Sequence, residues 1–242
     1  MYRTLWTVIL FAAAFSPARA QEPSSQAWKW CQGGNDIALD LQIGGCTTVI
    51  QSGGQSTKTL AAAFFRRGYA KKLGGQNDKA IEDYNQALKL NPNDPDTYIQ
   101  RGVAYKNLHD YDHAFADYAE ALRLDPKSSR ALDARCYAYA ILNQLQKALA
   151  DCTASLQLLP KAAYTLDSRG FIYLKMGRFS DAVADYDAAL KLDPKIAESL
   201  YGRGISEIKL GNAATGNADI IAAKAINPTI VDSMTQMGAP PL

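Results

Sequence analysis

Five prolines recur at a constant interval of 34 residues: Pro92, Pro126, Pro160, Pro194 and Pro228. A period of that length marks a chain that stacks small units instead of wrapping around one centre. With each proline placed at position 32 of its unit, other columns fall into register. Position 8 reads Gly68, Gly102, Cys136, Gly170 and Gly204, and position 20 reads Ala80, Ala114, Ala148, Ala182 and Gly216. Small residues there let two helices approach closely. Position 24 reads Tyr84, Tyr118, Cys152, Tyr186 and Ile220, and position 27 reads Ala87, Ala121, Ser155, Ala189 and Ala223. Each unit then divides into helix A over positions 1 to about 14 and helix B over about 15 to 28, with loop signals at the joints such as Gly74-Gly75, His109-Asp110, Asn143-Gln144 and Gly211-Asn212.

The pattern of a small residue, Ala, an aromatic, Ala and Pro at these spacings resembles the tetratricopeptide repeat family over residues 61–228. The resemblance implies an all-α protein, a right-handed α-solenoid of tandem 34-residue helix-turn-helix repeats, with partners docking on the face lined by the A helices. Departures are few: position 4, often Trp in the family, is Phe64, Tyr98, Leu132, Leu166 and Leu200, and position 11 is Tyr only at Tyr105, Tyr139 and Tyr173.

Residues 1–20 carry Arg3, an apolar run from Leu5 to Phe15 and the small-x-small end Ala18-Arg19-Ala20, which read as a signal peptide cleaved before Gln21. The run falls short of the roughly 20 residues that span a bilayer. The rest divides into a linker and degenerate N-terminal repeat over 21–57, five repeats over 58–228, and a C-terminal cap and tail over 229–242. The repeats fall approximately at 61–94, 95–128, 129–162, 163–196 and 197–230. Within the leading unit, QEPSSQA over 21–27 reads as linker, and a second helix is expected to hold Ile37, Leu39, Leu41, Ile43, Val49 and Ile50. Ser56 or Thr57 would cap the helix that follows. The address is periplasmic or secreted. Of 26 Lys and Arg, loss of Arg3 and Arg19 leaves 24 against 24 Asp and Glu, a balance that argues against nucleic acid as the main partner and leaves no membrane span after cleavage.

Four cysteines remain, an even number in a chain read as exported. The third repeat departs from pattern at two columns together: Cys136 replaces Gly at position 8 and Cys152 replaces Tyr at position 24. In an antiparallel helix pair these positions face each other, so a disulfide is expected. Cys31 and Cys46 have nearly the same spacing and suggest the same staple in the leading repeat. Free buried thiols are the alternative, and no C-x-x-C motif is present to suggest redox catalysis.

Position 7 is Arg throughout (Arg67, Arg101, Arg135, Arg169, Arg203) and position 23 is Asp throughout (Asp83, Asp117, Asp151, Asp185, Asp219). The matched columns read as a structural ladder of salt bridges between helices, with an arginine-lined anion groove as the alternative. The resemblance places positions 2, 5, 9, 12 and 13 of helix A in the groove. Positions 5 and 9 supply Phe65, Tyr69, Ile99, Val103, Asp133, Tyr137, Asp167, Phe171, Tyr201 and Ile205, while position 2 adds Tyr164, with Asp96, Arg130 and Glu198. An aromatic and aliphatic groove with some acidic residues suits an extended peptide or a partner helix with apolar anchors and some basic residues. Some of these aromatics are alternatively packing between neighbouring A helices.

No catalytic constellation emerges, and neither a cofactor nor a metal site is expected. Ser206-Glu-Ile-Lys209 matches a string found in some acyl enzymes, but position 10 should be buried. His109 and His113 are four apart but sit at a solvated turn. The sequence thus reads as an extracytoplasmic protein-protein interaction module, an adaptor, scaffold or assembly factor, with glycan or cell-wall binding as the alternative and catalysis a distant one.

Overall fold

A computed structural model describes residues 25–34 and 36–241. The expected signal peptide and the first part of the linker lie outside them. Thirteen helices and no strands make up the described residues. Two short helices, α1 (Ser25–Gln32) and α2 (Leu39–Gln51), lead. Five pairs follow: α3 (Thr57–Leu73) with α4 (Asn77–Leu90), α5 (Pro95–Asn107) with α6 (Tyr111–Leu124), α7 (Ser129–Ile141) with α8 (Leu145–Leu158), α9 (Ala163–Lys175) with α10 (Phe179–Leu192), and α11 (Ala197–Lys209) with α12 (Ala213–Ile226). A last short helix, α13 (Ile230–Gln236), closes the chain.

Each helix packs on its neighbours in sequence, and each A helix (α3, α5, α7, α9, α11) also touches the next A helix, whereas no B helix touches the next B helix. The stack therefore curves with its A helices inside. The molecule is an all-α repeat solenoid.

The A-to-B joint is set by position 15, where the chain turns through a positive φ at Gly75 (76°), His109 (62°), Asn143 (56°), Gly177 (72°) and Gly211 (93°). Glycine adopts this conformation without a steric cost, and Asn and His are the residues that tolerate it next best. The turn lets the position-16 amide return to the position-11 carbonyl, as in Asp110 N to Tyr105 O at 3.0 Å and Arg178 N to Tyr173 O at 2.9 Å. Because the turn consumes positions 14 to 16, helix B starts at position 17 and not at about 15. Ser56 caps α3, its hydroxyl accepting from Thr59 N at 3.1 Å. In the leading unit the boundaries differ from expectation. α1 already begins at Ser25, inside the expected linker, and Ile37 lies in the turn before α2.

The small column at position 8 is explained by the large one at position 24. A Cβ on Gly102 would stand 2.7 Å from Cε1 of the fully buried Tyr118, and one on Gly170 would stand 2.9 Å from Cε1 of Tyr186. In the last pair both sides are small, and a Cβ on Gly216 would meet the backbone carbonyl of Gly204 at 2.5 Å.

The third repeat resolves the same contact covalently. Cys136 and Cys152 are bridged with their Cα atoms 5.4 Å apart, and Cys31 and Cys46 likewise at 4.4 Å. Closing a loop of about 15 residues removes about 3 kcal/mol of chain entropy from the unfolded state. The Cys136→Ala, Cys152→Ala variant is therefore expected to lose about 3 kcal/mol in urea unfolding. An unchanged midpoint would show that the bridge contributes nothing.

Candidate functional site

The charged columns pair side chain to side chain. In each repeat the Arg grips the Asp with both Nε and Nη2: Arg101 reaches Asp117 at 2.8 and 2.6 Å, Arg135 reaches Asp151 at 2.7 and 2.8 Å, and Arg169 reaches Asp185 at 2.7 Å twice. Arg67 with Asp83 and Arg203 with Asp219 repeat the geometry. The Asp carboxylates are buried, and several guanidiniums use their remaining nitrogen to reach the preceding unit: Arg67 to Thr47, Arg101 to Asn85, Arg203 to Asp187. The ladder joins helix to helix and unit to unit, and its arginines are already occupied.

The concave face is partly filled by the chain itself. Helix α13 carries Ile230, Met234 and, just beyond its end, Met237, spaced i, i+4 and i+7, so all three lie on one side. Ile230 and Met234 are buried against the inner surface of α11 and α12, and Met237 extends across to the third repeat, where the Tyr137 hydroxyl donates to its sulfur at 3.0 Å. Lys175 Nζ donates to the Met237 carbonyl at 3.2 Å and to the Ala140 carbonyl at 2.9 Å, fixing the segment to α7 and α9.

This return corrects the expected groove. Phe171, Tyr201 and Ile205 are buried, in one apolar cluster with Ile230 and Met234, and Ile99 is buried with Ala121 and Ala131 between repeats. Ile99, Tyr201 and Ile205 are core, while Phe171, though buried, lines the cavity beside α13. Tyr164 and Tyr69 are exposed, 68% and 37% respectively, while Phe65, Val103, Asp133, Tyr137 and Asp167 are half-buried.

Between α13 and the A helices lies a cavity of about 550 Å³. Its floor carries Asp133 of α7 and Asp167 of α9, with Glu198 of α11 beside them, while Tyr137, Tyr164 and Met234 form its sides. Burial pushes the Asp167 carboxyl up to about 7; the Ser199 hydroxyl, donating to its Oδ1 at 2.5 Å, opposes this, and the charges of Glu198 and Asp133 add to it. Burial likewise raises Asp133, opposed by Thr165, and its Oδ1 has no hydrogen-bond partner. Tyr137 is raised to about 12 by burial and then by the nearby carboxylates of Asp167 and Glu198.

An adjoining hollow carries Lys72 and Lys106 beside Tyr137 and Met237, and Lys106 also lines the first cavity. Lys72 and Lys106 occupy position 12 and Lys175 position 13, each with its pKa lowered by burial, and Lys106 further by the charge of Lys72. They stand over aromatic rings: Lys72 over Tyr69 at 5.0 Å, Lys106 over Tyr137 at 4.9 Å, Lys175 over Phe171 at 5.4 Å. These lysines were legible in their columns, but reading only positions 2, 5 and 9 missed them.

The other candidates stay apart from this face or carry no chemistry. Ser206 is buried, its hydroxyl donating to the Gly202 carbonyl at 2.8 Å. His113 pairs with Asp110 at 2.7 Å, and His109 approaches the Tyr111 hydroxyl at 3.3 Å. No group of three metal-ligating side chains comes together among the described residues. None of the described helices is long and apolar enough to cross a membrane.

The comparisons agree with this architecture. The profile described as "TPR repeat" matches residues 68–109, and that described as "Tetratricopeptide repeat" matches 95–128 and 168–196. No curated protein matches the sequence. Among solved structures, the chain is similar to TTC0263, a TPR protein of Thermus thermophilus (20% identity, TM-score 0.62, 73% of this chain and 96% of that one). It is also similar to the APC/C Cut9-Hcn1 hetero-tetramer (16%, TM-score 0.73, 82% and 39%) and to YrrB, titled "a TPR protein with an unusual peptide-binding site" (18%, TM-score 0.54, 78% and 96%). At these identities the likeness concerns the fold. With the 34-residue columns, the profile matches over 68–128 and 168–196 and the inner layer of A helices in agreement, the chain carries tetratricopeptide repeats.

Proposed function

We propose that the protein is a non-catalytic interaction module that binds a segment of another protein along its concave face. The observation that carries this reading is the composition of the face left open by α13. Exposed Tyr164 and half-buried Val103 and Tyr137 line it together with Asp133, Asp167, Glu198 and Lys106, and in the first repeat exposed Tyr69 lies under Lys72. Aromatic anchors beside carboxylates suit a segment that carries apolar and basic side chains. YrrB, similar in fold, is described as having a peptide-binding site, which is compatible with this use of the fold.

The same reading places the protein outside the cytoplasm. It is supported by the leader-like sequence of residues 1–20 and by two bridged cysteine pairs. Fractionation of the native host tests the address: recovery in the cytosol with reduced thiols would refute it.

For partner binding, the test is crosslinked capture by the mature chain and by a Tyr69→Ala, Tyr164→Ala variant. Both side chains are exposed, so the variant is expected to fold and to lose at least tenfold of a discrete captured protein. Equal capture by the two would remove the concave face from consideration.

A further inference from the structure

Two half-buried aspartates of the concave face stand apart from the ladder. All five aspartates of the ladder are clamped by an arginine, yet Asp133 and Asp167 have no cation within ion-pair distance among the described residues. Lysines are not lacking nearby. Lys106 lines the same cavity but stands over the Tyr137 ring, and Lys175 is held by the Ala140 and Met237 carbonyls. Two carboxyl groups at the floor of a cavity, with Glu198 adjacent, therefore face one another without a paired counter-charge.

The floor also carries polar groups that no protein atom satisfies. Asp133 Oδ1 is unpartnered, and so are the hydroxyls of Tyr118 and Tyr186, both fully buried and both lining the cavity. Each of these oxygens can accept a hydrogen bond. The Tyr84 hydroxyl, in the same column of the first repeat, is unpartnered as well, so the tyrosines alone are a feature of the repeat. What sets the third and fourth repeats apart is that Asp, and not Phe65, Ile99 or Tyr201, stands at position 5 beneath a cavity.

Resting on the partner-binding reading above, we propose that this chamber receives the cationic head of a Lys or Arg side chain carried by the bound segment. The head would sit between Asp133 and Asp167, with its aliphatic stem against Tyr137, Tyr164 and Met234. Such a head brings several donors to acceptors that now lack them and supplies the missing counter-charge. Because the Asp167 carboxyl titrates near 7, a proton competes with the ligand, and binding should strengthen as pH rises. The groups facing Asp167 are Asp133 and Tyr137 of α7, Tyr186 of α10 and Glu198 and Ser199 of α11, with Lys106 of α5 on the same cavity; α13 contributes only Ser233, Met234 and its following Met237.

The test is an NMR titration of the full mature chain with n-butylammonium and n-propylguanidinium chlorides, with sodium chloride and n-butanol as controls. At pH 8 either cation should shift the amides around Asp133, Asp167 and Glu198. The affinity should fall about tenfold between pH 8 and pH 6, the change in ionised fraction of a group with pKa about 7. The Asp133→Asn, Asp167→Asn variant should lose these shifts while keeping its overall spectrum. If neither cation moves these amides more than the controls do, or if the variant binds as the parent does, the proposal is wrong. Partner capture separates the two readings. Capture that depends on Tyr69 and Tyr164 but not on the two aspartates overturns the chamber proposal alone, whereas capture indifferent to all four overturns the concave face and the chamber with it.

Discussion

Replacing Asp167 by Asn is expected to stabilise the protein above pH 7 and to leave it almost unchanged near pH 4. The carboxyl titrates at about 7 in the folded chain, against 3.8 for the ordinary group. Between those values the folded state holds a proton that the unfolded state has released, so stability falls as pH rises through this window. Above pH 7 both states are ionised, and the full cost of keeping the charge beside Asp133 and Glu198 is present. A difference of this size has a ceiling of about 4 kcal/mol. Asparagine carries no charge, and its Oδ1 can still accept from the Ser199 hydroxyl that now reaches Asp167 at 2.5 Å. Urea unfolding of both proteins at pH 4, 6 and 8 should show a gap that opens with pH. A gap of constant size, or a variant less stable at pH 8, would mean that Asp167 is not held against its ordinary equilibrium. Asp133→Asn should act in the same direction, since its charge is one of those raising Asp167.

The cost has a reading in function. Under the proposal above, a carboxylate that destabilises the fold at neutral pH, in a chain that pairs all five ladder aspartates with arginine, is kept for the cation it receives.

The sequence made the frame readable because the repeat forces one residue type into one place five times over. Gly at position 8 and Tyr at position 24 are two halves of one contact, so their joint replacement by Cys136 and Cys152 pointed to a bridge before any geometry was available. Arg and Asp at positions 7 and 23 were matched in the same way. What repetition could not reveal was anything that happens once. The spacing of Ile230, Met234 and Met237 identifies a helix with one apolar side, but nothing in that spacing says that it lands on the inner face and not on the open end of α12. Tyr201 and Ile205 occupy groove positions in the repeat yet are buried in the apolar cluster that also holds Ile230 and Met234 of α13. Ile99 was missed for a different reason, being drawn between repeats by the alanines of the adjoining helices.

Ending the chain at Asn227 should therefore do two things at once. It removes Ile230 and Met234, which are 0% and 1% exposed, and burial of two such side chains is worth about 3 to 6 kcal/mol. It also takes α13 out of the apolar cluster that holds Tyr201 and Ile205, so the loss should concentrate where α13 lies. Because units of a solenoid are coupled mainly to their neighbours, hydrogen exchange is expected to accelerate in α11 and α12, less in α9, and hardly at all in α3 to α6. The Tyr137 hydroxyl loses its contact with the Met237 sulfur, and the cavity over Asp133 and Asp167 loses its roof. Opening the cavity to water should bring the Asp167 titration down from about 7 towards the ordinary carboxylate range, since burial is the largest cause of its displacement. A truncated chain with unchanged exchange in α11 and α12 would show that α13 is not docked in solution. If exchange accelerates while the Asp167 titration stays in place, the carboxyl is held up by its charged neighbours Glu198 and Asp133, and the roof is a cover for the apolar residues alone.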